Sequence, residues 1–582
     1  MKRSIMTRTL VLFGVVLAPL TAHAVSPATP WPYPAKGEPA KASNGMVSSV
    51  SPIASRVGID ILKQGGNAVD AAIAVGLAMA VTWPEAGNIG GGGFMVARDA
   101  SGKTYALDYR ETAPARATRD MFLDAKGNAT DASLTSRLGA GTPGTVRGFH
   151  EAHAKLGKLP WKALVEPAVR LAKDGFVVDQ GLAESFAKYQ DDLRRDPEAA
   201  RIFLKNGKPL KVGERLVQTE LAATLRLIAD QGPVGFYQGR TAQLIDRDMA
   251  KNGGIMTAKD LAEYQAKWRE PIRFTYRDRE IISMPPPSSG GMLLAQILTM
   301  LEGDDLSKLG YHSPRMMHLI AEVERRAYAD RNTYLGDPDF VKNPLAQLLD
   351  AGYLKARRAT VDMSRATPEF STRPGLTEAS LQEANVVEVP ETTHYVVADA
   401  QGNVVSNTYT LNGAYGSAIV VPGTGMLLNN EMDDFAVKPG APNLYGLVQG
   451  ERNAVAPKKR MLSSMSPSIV LDPEGRFLMA VGTPGGSTIP TTTLQVITNV
   501  IDFGMNARQA IEAPRFHHQG LPQTIDVEAN GFAPATLKAL EAMGHPIHVR
   551  ASLGDAQLIL RKPDGTLEGW GDPRKGGLAI GY

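Results

Sequence analysis

The chain has 582 residues, 43% hydrophobic and 21% charged, which is enough apolar material for a large buried core and excludes a disordered polyelectrolyte. It has no cysteine, which excludes disulfides, thiol catalysis and thiolate metal sites. The formal net charge is +3. Residues 1–24 carry three basic and no acidic groups, so the rest of the chain balances at 60 of each, and no general case for nucleic-acid or anionic-membrane binding remains.

Those first residues form a unit of their own. Lys2, Arg3 and Arg8 make a basic head, Leu10 to Leu20 an apolar stretch, and Ala22-His23-Ala24 a small-residue cleavage site. The apolar stretch is short for a membrane span. The pattern predicts a secretory signal peptide cut before Val25, hence a periplasmic or secreted protein, rather than a transmembrane anchor. Residues 25–44, rich in Pro, Ala and Ser, are expected to be a mobile leader.

Pro52 to Gln64 carries Ile53, Val57 and Ile61 at helical spacing and ends at Gly65-Gly66. Ala68 to Val81 predicts a small-residue apolar helix, and Tyr105 to Arg110 a strand with Arg110 at its exit. Residues 145–270 read as mostly helical, His318 to Tyr334 as another helix, and 340–390 as polar and loop-rich. After 391 the texture changes to strands at 393–399, 404–411, 417–421, 467–472 and 477–482, with helices at 490–504 and 534–543. The one composition shift falls near 375–391. Strands and helices from both sides of it predict a single layered α/β body.

Several familiar patterns carry little. Gly90 to Gly93 lacks the Lys-Ser/Thr of a phosphate loop and reads as close backbone packing. No G-x-S-x-G elbow occurs. His150-Glu151-Ala152-His153 is one residue short of a zinc motif, and His517-His518 on an extended chain cannot easily share a metal. The expectation is a chain without metal or other cofactor.

The stretch VEVPETTHYVVADAQGNVVSNTYTL (387–411) predicts a hairpin turning at Asp399 to Asn403. Thr392-Thr393 opens its first strand after a proline-marked loop, and Thr408 and Thr410 return opposite. Three later stretches add polar chemistry: LLNNEMDDF (427–435), MLSSMSPS (461–468) and the glycine turn GTPGGS (482–487), whose amides suit an oxyanion. Each alone reads as turn or capping chemistry. Together they supply donors, acceptors and a hydroxyl without an evident Ser-His-Asp base. A threonine is activated without such a base when its own α-amine takes the proton, which requires it to be a chain terminus. An α-amine titrates near ~7.7–8.0, suited to that task. Cleavage of the Glu391–Thr392 bond would make Thr392 such a nucleophile.

With these motifs, and with GGNAVDAAIAVGLAMAVTWPEAGNIGGGGFM, DYRETAP, PPPSSGG and APRFHHQ in the same order, the sequence resembles the bacterial γ-glutamyltranspeptidases, which are N-terminal-nucleophile hydrolases. The resemblance spans essentially the whole chain after the leader. It implies a four-layer αββα sandwich and self-cleavage before Thr392 into a large subunit (25–391) and a small one (392–582) that stay together as a heterodimer. It also implies attack of Thr392 on the γ-amide of glutathione or another γ-glutamyl compound, with transfer to water or to an amino-acid or peptide amine. Thr410 matches the threonine that hydrogen-bonds the nucleophile, and Gly485 and Gly486 match the oxyanion hole. Arg110, Ser463 and Ser464 match a clamp for the substrate α-carboxylate; Asn412, Glu431 and Asp434 match acceptors for its α-ammonium. Residues 438–460 match a lid latched by Tyr445.

Glu431 stands where some members carry Gln, Gly413 and Ala414 where polar residues are common, and Met461 in place of a frequent proline. A glutaryl or cephalosporin-type acylase on the same scaffold is the competing reading. It would share Thr392 but need no ammonium pocket, and some such acylases lack the lid. A non-catalytic periplasmic binding protein is the remote alternative.

Overall fold

The computed structural model describes residue 33 and residues 38–368, 371–376 and 391–582. The expected signal peptide and the stretch 377–390 lie outside them. Two seven-stranded antiparallel sheets face each other. One runs Leu578–Gly581, Gly45–Ser49, Thr393–Asp399, Val404–Thr410, Gly92–Arg98, Thr104–Asp108, Lys267–Arg269. The other runs Ala40–Ala42, Leu567–Gly571, Gln557–Arg561, Phe477–Gly482, Ser468–Leu471, Arg279–Ser283, Ile272–Tyr276.

The two-residue period of a strand sorts side chains between layers. Along Thr393–Asp399, Val396 and Ala398 enter a core shared with Ile469, Ala480 and Ile559 of the facing sheet. Tyr395 and Val397 point the other way, into the core formed with helices Pro52–Lys63, Ala68–Thr82 and Trp161–Asp174. Ile281, Val470 and Met479 of the second sheet likewise back onto helices Gly290–Leu301, Pro314–Tyr334 and Ile489–Ile501. Helix, sheet, sheet, helix: the layering is the αββα sandwich.

The helix Ala68–Thr82 is buried at every residue, as its uniformly apolar sequence dictates. An Asn67–Asp70 capping box starts it, and Gly76 lets Tyr409 reach its backbone carbonyl at 2.8 Å. The four-glycine run packs backbone against backbone: a Cβ on Gly91 would lie 2.0 Å from the Thr410 carbonyl oxygen, and one on Gly93 2.3 Å from that of Thr408.

The hairpin forms as read, with Thr393–Asp399 and Val404–Thr410 paired from Thr393↔Tyr409 to Ala398↔Val404. The 417–421 strand shrinks to Val420–Val421, because Tyr415, Gly416 and Ala418 take left-handed φ of 59°, 61° and 58° and break the extension. The leader expected over 25–44 ends sooner, since Ala40–Ala42 pairs as an edge strand with Leu567–Gly571. No helix among the described residues is long and apolar enough to cross a membrane.

Both sheets draw strands from each side of residue 392. Ile469→Ala, which hollows the shared core, should cost about 2–5 kcal/mol. Urea unfolding of the purified protein, read by its midpoint, measures this.

Candidate active site

Thr392 sits at the head of the strand Thr393–Asp399, 4% exposed, near the middle of its sheet. Its Oγ1 donates to the Glu391 carbonyl at 2.7 Å and reaches Thr410 Oγ1 at 3.3 Å. Thr410 Oγ1 donates to the same carbonyl at 3.2 Å and accepts from the Asn412 amide at 2.8 Å. Two hydroxyls therefore converge on one peptide carbonyl. The second returning threonine, Thr408, is used elsewhere, bonded to His394 Nδ1 at 2.8 Å. Burial pushes the His394 imidazole down to about 3, so it stays neutral, and its ring packs beneath Gly482.

Glu391 is anchored through its side chain as well. Its carboxylate accepts from Tyr189 Oη, from Lys575 Nζ at 2.6 Å, and lies 3.6 Å from Lys188 Nζ. Lys575 also donates to Glu85 at 2.6 Å. Burial and the neighbouring Glu85 raise Glu391 to about 7.

Arg110, just past the strand Thr104–Asp108, is fully buried and forks between Glu431 and Asp434, with Nε 3.4 Å from the Met461 carbonyl. Burial works against its charge, but Glu431, Asp434 and Glu111 outweigh it and hold its pKa above the usual value. Glu431 and Asp434 come from a single short turn, Glu431–Asp434, so one loop delivers both carboxylates. Asn412 takes φ 78°, which turns its side chain toward them; its Nδ2 donates to the Asn430 carbonyl at 3.0 Å. Asn412 Oδ1 and Glu431 Oε2 are buried acceptors without a partner.

Ser463 and Ser464 follow the turn before the strand Ser468–Leu471. Ser463 is pinned through its backbone to Pro287 and Ser289. Gly485 (φ 136°) and Gly486 (φ 57°) lead into the helix Ile489–Ile501. The segment 438–460 closes over them. Tyr445 Oη donates to the Asn412 carbonyl at 2.6 Å, Asn443 Nδ2 to Asp434 at 3.0 Å, and the Leu444 amide to Asp433 at 2.8 Å. The expected catalytic, head-group and latch residues, save Gly485, line one cleft.

Residues 54–582 match the family described as gamma-glutamyltranspeptidase. The chain belongs to the γ-glutamyltranspeptidase family. It is 50% identical over 568 residues to the glutathione hydrolase proenzyme of Escherichia coli (strain K12), covering 97% of this chain and 96% of that protein. The acylase ACY 1 proenzyme of Pseudomonas sp. (strain SE83) is 40% identical, over 91% and 92%. Among solved structures, cephalosporin acylase from Bacillus halodurans matches with a TM-score of 0.84 at 29% identity, covering 96% of this chain and 99% of that one. Gamma-glutamyltranspeptidase from Helicobacter pylori matches with 0.56 at 43% identity, over 60% and 99%.

In this γ-glutamyltranspeptidase-family chain, Met461 packs into an apolar cluster with Phe122, Met432 and Phe435 behind Arg110. Gly413 presents its amide to Asn430 Oδ1 at 2.9 Å. The His150 ring meets Trp161 edge-on and the His153 ring packs against it at a tilt. Among the described residues, no group of three His, Cys, Asp or Glu side chains gathers to hold a metal ion. Sequence reasoning passed over Arg331, which also lines the cleft. Its signal was the charged run Arg325, Arg326, Asp330 and Arg331 on the helix Pro314–Tyr334, nearly all of which is buried.

A Cβ on Gly486 would meet the Tyr445 ring at 2.2 Å, whereas one on Gly413 would find its nearest atom at 3.2 Å. Gly486→Ala should therefore unseat Tyr445 and expose 438–460 to limited proteolysis, while Gly413→Ala should not. Protease digestion of the two variants, followed by mass mapping of the cuts, checks this.

Proposed function

We propose that this chain hydrolyses and transfers γ-glutamyl groups, taking glutathione and related γ-glutamyl compounds, after cutting itself between Glu391 and Thr392. In the maturation step Thr392 Oγ1 adds to the Glu391 carbonyl carbon and the C–N bond breaks, with the proton passing to the released amine. Water then hydrolyses the resulting ester, leaving Glu391 as a carboxyl terminus and Thr392 as an amino terminus. The convergence of Thr392 and Thr410 on the Glu391 carbonyl supports this reading. The new α-amine then serves as base for Thr392 Oγ1, which attacks the substrate γ-carbonyl. The Gly485 and Gly486 amides face the developing oxyanion, and the γ-glutamyl ester passes to water or to an amino-acid or dipeptide amine.

The observation that carries the substrate assignment is the pair of orphaned acceptors, Asn412 Oδ1 and Glu431 Oε2, in a wall that also holds Asp434. Buried acceptors beside a carboxylate want a cationic donor, and an α-ammonium supplies one. Arg110 with Ser463 and Ser464 receives the α-carboxylate. A glutaryl acylase, the second reading suggested by the acylase relatives, has a carboxylate to bind but no ammonium, and leaves those acceptors unused. The relatives named as proenzymes and the interleaved sheets support a heterodimer of residues 25–391 and 392–582. The basic, apolar and A-x-A pattern of residues 1–24 supports a periplasmic or secreted location.

Wild-type protein should run as two chains, the smaller beginning Thr392-Thr393-His394. Thr392→Ala should stay as one inactive chain, and Thr392→Ser should cut slowly, keeping the hydroxyl but losing the methyl that restricts its rotamer. Denaturing electrophoresis with terminal sequencing decides, and an active uncut Ala variant would defeat the mechanism.

Asp434→Asn separates the two substrate readings. Kcat/KM on γ-glutamyl-anilide should fall roughly 30-fold or more, the cost of losing one partner of a buried charge pair, while glutaryl-anilide should remain a poor and little-changed substrate. Equal losses on both, or a wild type that prefers the glutaryl compound, would favour the acylase.

A further inference from the structure

Arg331 is the one arginine lining the cleft that makes no ion pair among the described residues. Its side chain is wholly buried on the helix Pro314–Tyr334. The guanidinium is held only by neutral oxygens: Nε donates to Ser289 Oγ at 3.2 Å, Nη1 to Asn332 Oδ1 at 3.0 Å and Nη2 to Ser464 Oγ at 3.4 Å. Burial lowers its pKa to about 10, which leaves it charged at neutral pH. A buried charge with no carboxylate at ion-pair distance is costly; Asp434 acts on it only from farther off, and the guanidinium stands beside the cleft.

The hydroxyls around it are already committed as acceptors. Ser464 Oγ accepts from Arg331, and Ser463 Oγ accepts from the Met465 amide at 3.1 Å. Each serine therefore keeps its own O–H to give, and two donors beside an unpaired cation describe an anion subsite. Arg110 cannot fill that role alone, because its fork is taken by Glu431 and Asp434. The carboxyl groups of Glu111, Glu431 and Asp434 gather on Arg110, so Arg331 is the guanidinium of the cleft left with neutral hydrogen-bond partners.

We propose that Arg331 is a specificity-determining residue for the substrate carboxylate: it positions Ser464 as a donor and supplies the positive charge that Arg110 spends on Glu431 and Asp434. This rests on the γ-glutamyl reading for the identity of the head group, but the carboxylate it recognises is common to γ-glutamyl and glutaryl substrates. Three anilides separate the contributions: γ-glutamyl-anilide carries both charges, glutaryl-anilide only the carboxylate, and 4-aminobutyryl-anilide only the ammonium.

In mature Arg331→Met, KM for the two carboxylate-bearing anilides should rise roughly 30-fold or more, with kcat within about threefold of wild type. Kcat/KM for 4-aminobutyryl-anilide should stay within about threefold or improve, since a repelling cation has gone. Arg331→Lys, which keeps the charge without the fork, should recover part of the KM. Ser464→Ala should harm the same two substrates, and the double variant Arg331→Met/Ser464→Ala should lose less than the product of the single losses. Should the Met variant fail to mature, the Lys variant and Ser464→Ala still decide, because their losses must also be confined to the carboxylate substrates. Equal losses on all three anilides, a change in kcat alone, or no change would overturn the proposal. A wild type that handles glutaryl- and γ-glutamyl-anilide alike would instead defeat the ammonium reading while leaving the role of Arg331 to be judged on the pair.

Discussion

The strand Thr393–Asp399 is hydrogen-bonded on both edges inside a seven-stranded sheet and covered on both faces, and the molecule is organised around keeping it there. Chain termini are ordinarily the loosest parts of a protein. If Thr392 is to act as a terminus, it needs the opposite: a hydroxyl fixed within hydrogen-bond reach of its partner while its own backbone stays competent for chemistry. Cross-strand register with Val404–Thr410 provides this, bringing Thr410 alongside, and the four-glycine run lets the neighbouring strand approach closely enough to hold Thr410 in place. A one-residue slip would turn Thr410 to the other face. The facing sheet and a helical layer cover the two faces of Thr393–Asp399, and a slip would put its side chains in the wrong layer.

The polar end of the cleft obeys a second constraint, the high cost of burying charge. Arg110, Arg331, Glu431 and Asp434 are tolerable together because their signs offset one another. The arrangement is also incomplete by design of its donors and acceptors: two acceptors lack a donor on one side, and two serine hydroxyls keep a free proton on the other. A zwitterionic head group completes both sets at once, whereas a ligand with a single charge completes one. On the proposed reading, substrate preference follows from which hydrogen bonds the head group completes more than from cleft shape.

The segment 438–460 ties these two constraints together. Tyr445 bonds to the backbone of Asn412, Asn443 to Asp434, and the Tyr445 ring rests on the one face of Gly486 that lacks a side chain. The same glycine that frees the turn to take φ 57° also makes room for the Tyr445 ring. The seat of Tyr445 and the conformation of the glycine turn are therefore coupled through a single missing Cβ.

Much of this was legible from the residues in order. The hairpin, its turn, the all-apolar helix after Asn67 and the threonine pair have local causes: alternation, turn chemistry and small-residue composition act over a few neighbours, so reading along the chain recovers them. The resemblance carried the cleft residues, which sequence spacing alone could not gather, because Arg110 and Glu431 stand hundreds of positions apart and meet only through sheet pairing. The short strand at 417–421 was misjudged for a related reason, since left-handed residues at Tyr415 and Ala418 are chosen by packing and not by propensity. Arg331 shows the limit most plainly. On the helix it is one charge among several, and composition would place it in solvent. Only the tertiary structure buries it, leaves it without an ion pair among the described residues and sets it beside Ser464. Whether a charged side chain is idle or functional depends on what is missing around it, and that is a property of the folded interior that no stretch of sequence contains.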